Sequence, residues 1–199
     1  WSPRPELRPE DFHQAGFDSA SWASITVPST WEREGFGTPI YLNSIYPFKV
    51  DPPRVMGEPP ENFTTFKERN PVGSYLREFE VPGEWAGKRI ILHFGGVSSA
   101  MFVWVNGKKA GYSQDSRLAA EFDVTGLLVP GKNRLAVEVY KYCDGSYLED
   151  QDFWRLGGIF RDVMIAAVPA EGLWDVYAES QYDLASCRGR VVLHTTPMN

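Results

Sequence analysis

The sequence predicts an antiparallel β-sandwich of roughly eight strands, the strand count of a jelly roll. Three observations carry this. After Gly73, short runs rich in β-branched and aromatic residues recur at even intervals, at Ser74–Val81, Arg89–Phe94, Met101–Val105, Arg134–Tyr140 and Ile159–Val168. Turn residues separate them: Asn106-Gly107 follows the run Met-Phe-Val-Trp-Val, and both central residues of a type I′ hairpin turn need positive φ. Helical pattern is nearly absent, with only Gly126–Val129 and Glu121-Phe122-Asp123-Val124 able to hold a helical turn.

The elements follow in order. Residues Trp1–Pro28 are turn-rich, with Pro3, Pro5, Pro9 and Gly16, and read as irregular coil with at most one helical turn. Pro then recurs at 28, 39, 47, 52, 53, 59, 60 and 71. Pro lacks the N–H that a strand or helix interior needs, so long loops are expected here. Asp51–Pro71 is the candidate mobile loop and Tyr41–Tyr46, aromatic at both ends, the ordered one. Val129-Pro130-Gly131 closes a turn before the strand at Arg134. Past Pro169, Leu173–Ser180 and Arg190–Thr195 flank a turn at Arg188-Gly189 and form at most a hairpin, which alone is marginally stable in water. This tail reads as the start of a second domain that is truncated here.

Composition excludes several classes. The 199 residues carry 20 Lys+Arg against 26 Asp+Glu, a net charge of −6, and the longest basic cluster is Lys108-Lys109. Binding to nucleic acid or to a lipid surface through clustered cations is therefore not expected. No stretch reaches the ~20 apolar residues of a membrane helix, and the N-terminus lacks the basic and apolar regions of a signal peptide. Cys143 and Cys187 make no disulfide framework and no zinc motif, which leaves cytoplasm and periplasm equally open. The fold must hold by packing. Seven Trp, nine Tyr and twelve Phe make the chain rich in rings; most belong in the core, and the rest are suited to act as flat platforms for sugar faces.

The densest polar constellation runs from Cys143 to Arg155, where Asp144, Glu149, Asp150 and Asp152 fall within nine positions among Tyr147, Phe153 and Trp154. Like charges this close need compensation by Arg, by a cation or by ligand hydroxyls. The bland alternative is a solvated acidic loop paired with Arg155 and Arg161. The adjacent rings and the Gly157-Gly158 pair, which allows close backbone approach, favour a site. Asp150 and Asp152, two apart, would point to one side of an extended segment about 6.6–6.8 Å apart, within reach of two-carboxylate chemistry. Nothing local would push their pKa values apart, so a self-contained glycosidase is disfavoured.

Nucleophilic alternatives are weaker. His13, His93 and His194 are scattered, and His93 reads as a strand residue; no GxSxG, Walker, GxGxxG or HExxH motif occurs. Gly95-Gly96 lacks the following helix that a phosphate site requires. In the second constellation, Pro39 to Pro47, Asn43 offers both a donor and an acceptor, a combination that suits sugar hydroxyls and equally suits loop backbone.

Together these words resemble a known family. Val27-Pro28-Ser29-Thr30-Trp31, then Gly35 to Asn43, then Gly111-Tyr112-Ser113-Gln114-Asp115-Ser116-Arg117, then Asp144 to Arg155 match, in order and spacing, the N-terminal domain of lac-type members of glycoside hydrolase family 2. The resemblance covers about Trp1 to Val168. It implies a galactose-binding-like jelly roll over 1–168, with 169–199 the start of an immunoglobulin-like domain. It also implies a larger hydrolase of terminal β-galactosides such as lactose, acting with retention. Its two catalytic glutamates would lie in a barrel outside these residues, so this stretch alone would be inactive.

The resemblance places Asp152 at the galactose 6-hydroxyl region and on a monovalent cation, sodium, and places Asn43 and Ser44 on a loop reaching the sugar. Ser44 stands where the family commonly has Val. Gln114 and Asp144 match positions lining a magnesium site that needs further ligands. Family members are often homo-oligomers. The alternatives are a β-glucuronidase or β-mannosidase of the same family, a stand-alone carbohydrate-binding module, and a purely structural interaction domain.

Overall fold

The computed structural model describes residues 1–149, 152–169 and 171–198. Among the described residues there are thirteen strands, β1 (Ile40–Leu42), β2 (Val72–Glu80), β3 (Arg89–Phe94), β4 (Val97–Ser98), β5 (Ala100–Val105), β6 (Lys108–Gln114), β7 (Ala120–Asp123), β8 (Lys132–Tyr140), β9 (Phe153–Arg155), β10 (Gly158–Ile159), β11 (Val163–Val168), β12 (Leu173–Asp183) and β13 (Arg188–Pro197). The only helical segments among the described residues are single 3-10 turns, and none is long and apolar enough to cross a membrane.

Two antiparallel sheets form the sandwich, a four-stranded one in the order β2-β8-β5-β6 and a three-stranded one in the order β11-β3-β7. Period-two alternation builds the core between them. Met101, Val103 and Val105 of β5 and Leu135, Val137 and Val139 of β8 meet Ile90, Leu92 and Phe94 of β3 in one cluster.

The run Met-Phe-Val-Trp-Val is apolar throughout because both faces of β5 are covered. On its outer face Trp104 stacks with His13 at 4.7 Å and meets Phe12 edge-on at 5.9 Å, while Arg8 pairs at 3.2 Å with the buried Glu138 of β8. The N-terminal coil, with its 3-10 turn at Pro5–Leu7, thus acts as a third layer.

The hairpin expected at Asn106-Gly107 joins β5 to β6, with φ of 53° and 78° at the two residues. Two expectations are corrected. The run Ile159–Val168 is two strands, because after β10 the chain turns at Phe160–Asp162 before β11 pairs with β3. Glu121-Phe122-Asp123 is strand, completing the three-stranded sheet at the register Leu92↔Phe122, and the helical turn falls just after it at Thr125–Leu127. The Asp51–Pro71 loop is fastened near its start, where the Tyr147 hydroxyl accepts from the Asp51 N–H at 3.0 Å and donates to the Arg54 carbonyl at 2.7 Å. The C-terminal hairpin, β12 with β13, leaves Leu173, Tyr177, Tyr182 and Leu193 exposed.

One side chain organises the closure of the sandwich. Trp31 is 2% exposed and lies where Cβ atoms on Gly73, Gly157 or Gly158 would intrude, at 2.5–2.6 Å for Gly73 and Gly157. Its indole N–H donates to the Tyr75 hydroxyl, and its backbone N–H donates to the Gly157 carbonyl at 2.9 Å. Beside it Glu32 and Lys141 form a buried ion pair at 2.6 Å, and Glu32 also accepts the Gly157 N–H. Gly157→Ala should therefore destabilise the fold by about 1–3 kcal/mol through overpacking, whereas Gly126→Ala, with open space around its Cβ position, should leave it unchanged. Urea unfolding of both variants checks this. Glu32→Ala, which strands a buried ammonium, should cost about 3–5 kcal/mol in the same assay.

Candidate functional site

Two segments distant in sequence are fastened together at two levels. β1 pairs with β9 in the register Ile40↔Arg155, Tyr41↔Trp154 and Leu42↔Phe153, a two-stranded ribbon outside both main sheets. Further along, the Tyr46 hydroxyl donates to the Tyr147 carbonyl at 2.9 Å, and Tyr46, Phe48, Tyr142 and Tyr147 form a ring cluster with centroids 4.9–5.7 Å apart. The aromatic residues of both sequence constellations thus serve mainly to hold these segments to each other.

Asn43 follows Leu42 and Asp152 precedes Phe153, so the register brings both to the same end of the ribbon. Both are exposed, as is Ser44, whose hydroxyl donates to Asn43 Oδ1 at 3.2 Å. Asp152 Oδ1 accepts the Tyr41 hydroxyl, and among the described residues its second oxygen has no partner. That bond, with burial and the carboxylate charge adding to it, raises the Tyr41 hydroxyl above the usual tyrosine range. The Tyr41 and Trp154 rings lie 5.6 Å apart on the same ribbon and are 50% and 56% exposed. A carboxylate with a free oxygen, a carboxamide and two exposed rings make a surface able to accept hydroxyl hydrogen bonds beside an apolar platform.

The other acids are differently employed. Glu149 takes the Ser116 N–H at 2.7 Å and its hydroxyl at 2.6 Å, pinning the 115–118 turn. Asp144 is exposed and accepts the Gly145 N–H at 3.0 Å. Asp150, the suggested second carboxylate of a glycosidase pair, lies outside the described residues. Of the two arginines that the solvated-loop alternative paired with the run, Arg161 donates to the carbonyls of Gly95 and Arg117. Arg155, buried, also lies 4.6 Å over the Phe153 ring. Tyr41 as the partner of Asp152 and Glu149 as a turn anchor are what the sequence reading missed. For Tyr41 a signal existed: on a strand it shares a face with Asn43.

Sodium fits what is present at Asp152, since a hard cation takes carboxylate and hydroxyl oxygens and both occur there. Magnesium fits less well. Gln114 Oε1 already accepts the Tyr112 hydroxyl at 2.6 Å, Asp144 adds one carboxylate, and no group of three His, Cys, Asp or Glu able to hold a metal occurs among the described residues. These two side chains fall short of octahedral coordination.

The chain is an antiparallel sandwich with a polar, ring-lined ribbon outside its two main sheets. The chain belongs to glycosyl hydrolase family 2: the model of that family's sugar binding domain matches residues 1–169. Curated relatives called β-galactosidase include one from Pseudoalteromonas haloplanktis, 47% identical over 176 residues (88% of this chain, 16% of the relative), and one from Halalkalibacterium halodurans, 41% identical over 196 residues (96% and 18%). The chain therefore spans less than a fifth of those relatives. Among solved structures, a β-glycosidase from Bacteroides vulgatus superposes with a TM-score of 0.68 at 19% identity over 96% of this chain and 22% of its own, a likeness of fold.

The Tyr41–Asp152 bond gives a direct test. In Asp152→Ala the Tyr41 hydroxyl should ionise at lower pH, back toward the ordinary tyrosine range, because both the bond and the negative charge that favour the neutral phenol are gone. Tyrosinate absorbance followed against pH, with a Tyr41→Phe variant to identify the signal, reads this out.

Proposed function

We propose that this chain is the sugar-binding part of a β-galactosidase and that Asp152 and Asn43, with Ser44 beside them, line one wall of its galactose subsite. The observation that carries the reading is their convergence at one end of the β1–β9 ribbon, next to exposed Tyr41 and Trp154. In this reading residues 1–168 are the jelly roll and 169–199 open an immunoglobulin-like domain. The β-galactosidase names of relatives at 41% and 47% identity favour a galactoside. A β-glucuronidase from Bacteroides uniformis, at 24% identity and a TM-score of 0.61 over 87% of this chain and 19% of its own, supports the fold alone.

The chemistry assigned to the ribbon is positioning. Asp152 accepts a hydrogen bond from a sugar hydroxyl, and charge-assisted bonds of this kind are the stronger ones. Its partnered oxygen is fixed by Tyr41, so the carboxylate meets the ligand preoriented. Trp154 and Tyr41 offer faces to the apolar side of the ring. Asp152 would hold sodium, which supplies a further Lewis-acidic contact to sugar oxygens. Magnesium at Gln114 and Asp144 would require ligands beyond these two. Proton transfer and the nucleophile are assigned to glutamates of a barrel outside these residues, so the chain by itself is expected to be inactive.

Galactose titrated into the chain with sodium present should shift the Asn43 and Trp154 amide resonances saturably, and Asp152→Ala should abolish the shifts. In the complete enzyme Asp152→Ala should lower kcat/KM by about 10- to 150-fold, the loss of one charged hydrogen bond of about 1.5–3 kcal/mol. Unchanged kinetics in a folded variant would remove Asp152 from the subsite. In the complete enzyme, replacing sodium by choline should lower kcat/KM of the parent and leave the residual kcat/KM of Asp152→Ala unaffected; equal sensitivity in both would place the cation elsewhere.

A further inference from the structure

The ribbon has three residue pairs, too few to fix by themselves how it is carried on the sandwich. Its attachment is polar and lies at the opposite end from Asn43 and Asp152. β9 leaves through Gly157, whose N–H donates to Glu32 at 3.1 Å and whose carbonyl accepts the Trp31 N–H at 2.9 Å. β1 is entered through Thr38, and there the N–H, the hydroxyl and the carbonyl of the residue are all taken. The Glu68 carboxylate accepts the N–H and the hydroxyl, each at 3.1 Å, and the carbonyl accepts from Lys141 Nζ at 3.3 Å. Lys141 is the buried partner of Glu32, so one ion pair reaches both strands of the ribbon.

Thr38 passes its orientation on. Pro39 has no N–H and a φ held at about −65°, and a residue preceding proline is itself restricted, so the lead into β1 is stiff. Tyr41 and Asn43 share one face of an extended chain, and Asn43 lies about 16 Å of such chain beyond Thr38. A small rotation at Thr38 is therefore magnified at the end of the ribbon.

Glu68 is held in turn. Arg4 donates to the carbonyls of Phe66 and Lys67 at 3.0 and 3.2 Å, and the buried Asn70 exchanges two hydrogen bonds with the backbone of Tyr142, at 2.8 and 3.1 Å. Yet Glu68 is half-buried and stands outside the hydrophobic cluster. Among the described residues both hydrogen bonds of its side chain go to Thr38. Its role is thus the orientation of one residue and not the filling of the core.

We propose that Glu68, on the galactose-subsite reading above, from which this follows, is a positioning residue for the sugar wall. By holding Thr38 it sets the attitude of β1 and hence the placement of Asn43 and Tyr41, and through the Tyr41 hydroxyl that of Asp152.

A double-mutant cycle in the complete enzyme tests this, with thermal unfolding followed for each variant. Glu68→Ala should lower kcat/KM for a galactoside by roughly tenfold. Added to Asp152→Ala it should cost no more than about threefold, because part of the wall it positions is already gone. Glu68→Gln should restore activity, since its amide accepts the Thr38 N–H and donates to the hydroxyl. If Glu68→Ala does not fold, Thr38→Val carries the same cycle, as it removes one of the two bonds and keeps the shape. Equal factors in both backgrounds would mark a merely structural role and overturn the proposal. So would failure of Glu68→Gln to rescue, which would assign the effect to charge. Unchanged kinetics in Glu68→Ala beside an impaired Asp152→Ala would overturn it too and leave the subsite reading standing. Full activity in a folded Asp152→Ala would remove that reading, and the role of Glu68 with it.

Discussion

The structure depends on the insertion of the Trp31 indole into a slot made by glycines. Gly73 belongs to β2, and Gly157 and Gly158 lie at the start of β10, so one ring joins an edge strand of the larger sheet to the segment that leaves the ribbon. Close packing at native density leaves no room for a methyl group there. The slot is also polar where it must be: the indole N–H finds the Tyr75 hydroxyl, and Glu32 satisfies both Lys141 and the Gly157 amide. From Trp31 the chain reaches β1 in nine residues, and from Gly157 it is two residues back to β9. The geometry of the ribbon is thereby set by a contact that itself touches no ligand surface.

How far the sequence could be read depends on what each signal reports. β3, at Arg89–Phe94, was legible to the residue because Ile90, Ile91, Leu92 and Phe94 make a dense apolar set, all four buried, and the Asn106-Gly107 turn because both of its central residues take positive φ. β7 was not, since four residues with acids at two positions carry too little pattern, and its strand character comes from pairing with β3. Composition likewise cannot show that an apolar stretch breaks, as Phe160–Asp162 does to reach β11. For the ribbon, Tyr41 and Asp152 are 111 positions apart, a pairing that no local periodicity encodes; the resemblance of whole words, in order, put Asn43 and Asp152 together.

The acidic run illustrates why charge density is a poor guide to chemistry. Glu149 is spent on the backbone and hydroxyl of Ser116, Asp144 on the amide next to it, and Asp152 on a tyrosine. Nearby Arg161 reaches backbone carbonyls and the face of Phe160. Each of these three acids has found its own donor, so they are neighbours in sequence with separate partners in space.

The ribbon has only three residue pairs and belongs to neither sheet. Its side chains can therefore change without disturbing the core that pays for folding. Folding and surface chemistry therefore rest on different residues of one chain: Tyr41, Asn43, Ser44, Asp152 and Trp154 can be exchanged on the exposed ribbon while Trp31 and its glycines keep the sandwich closed.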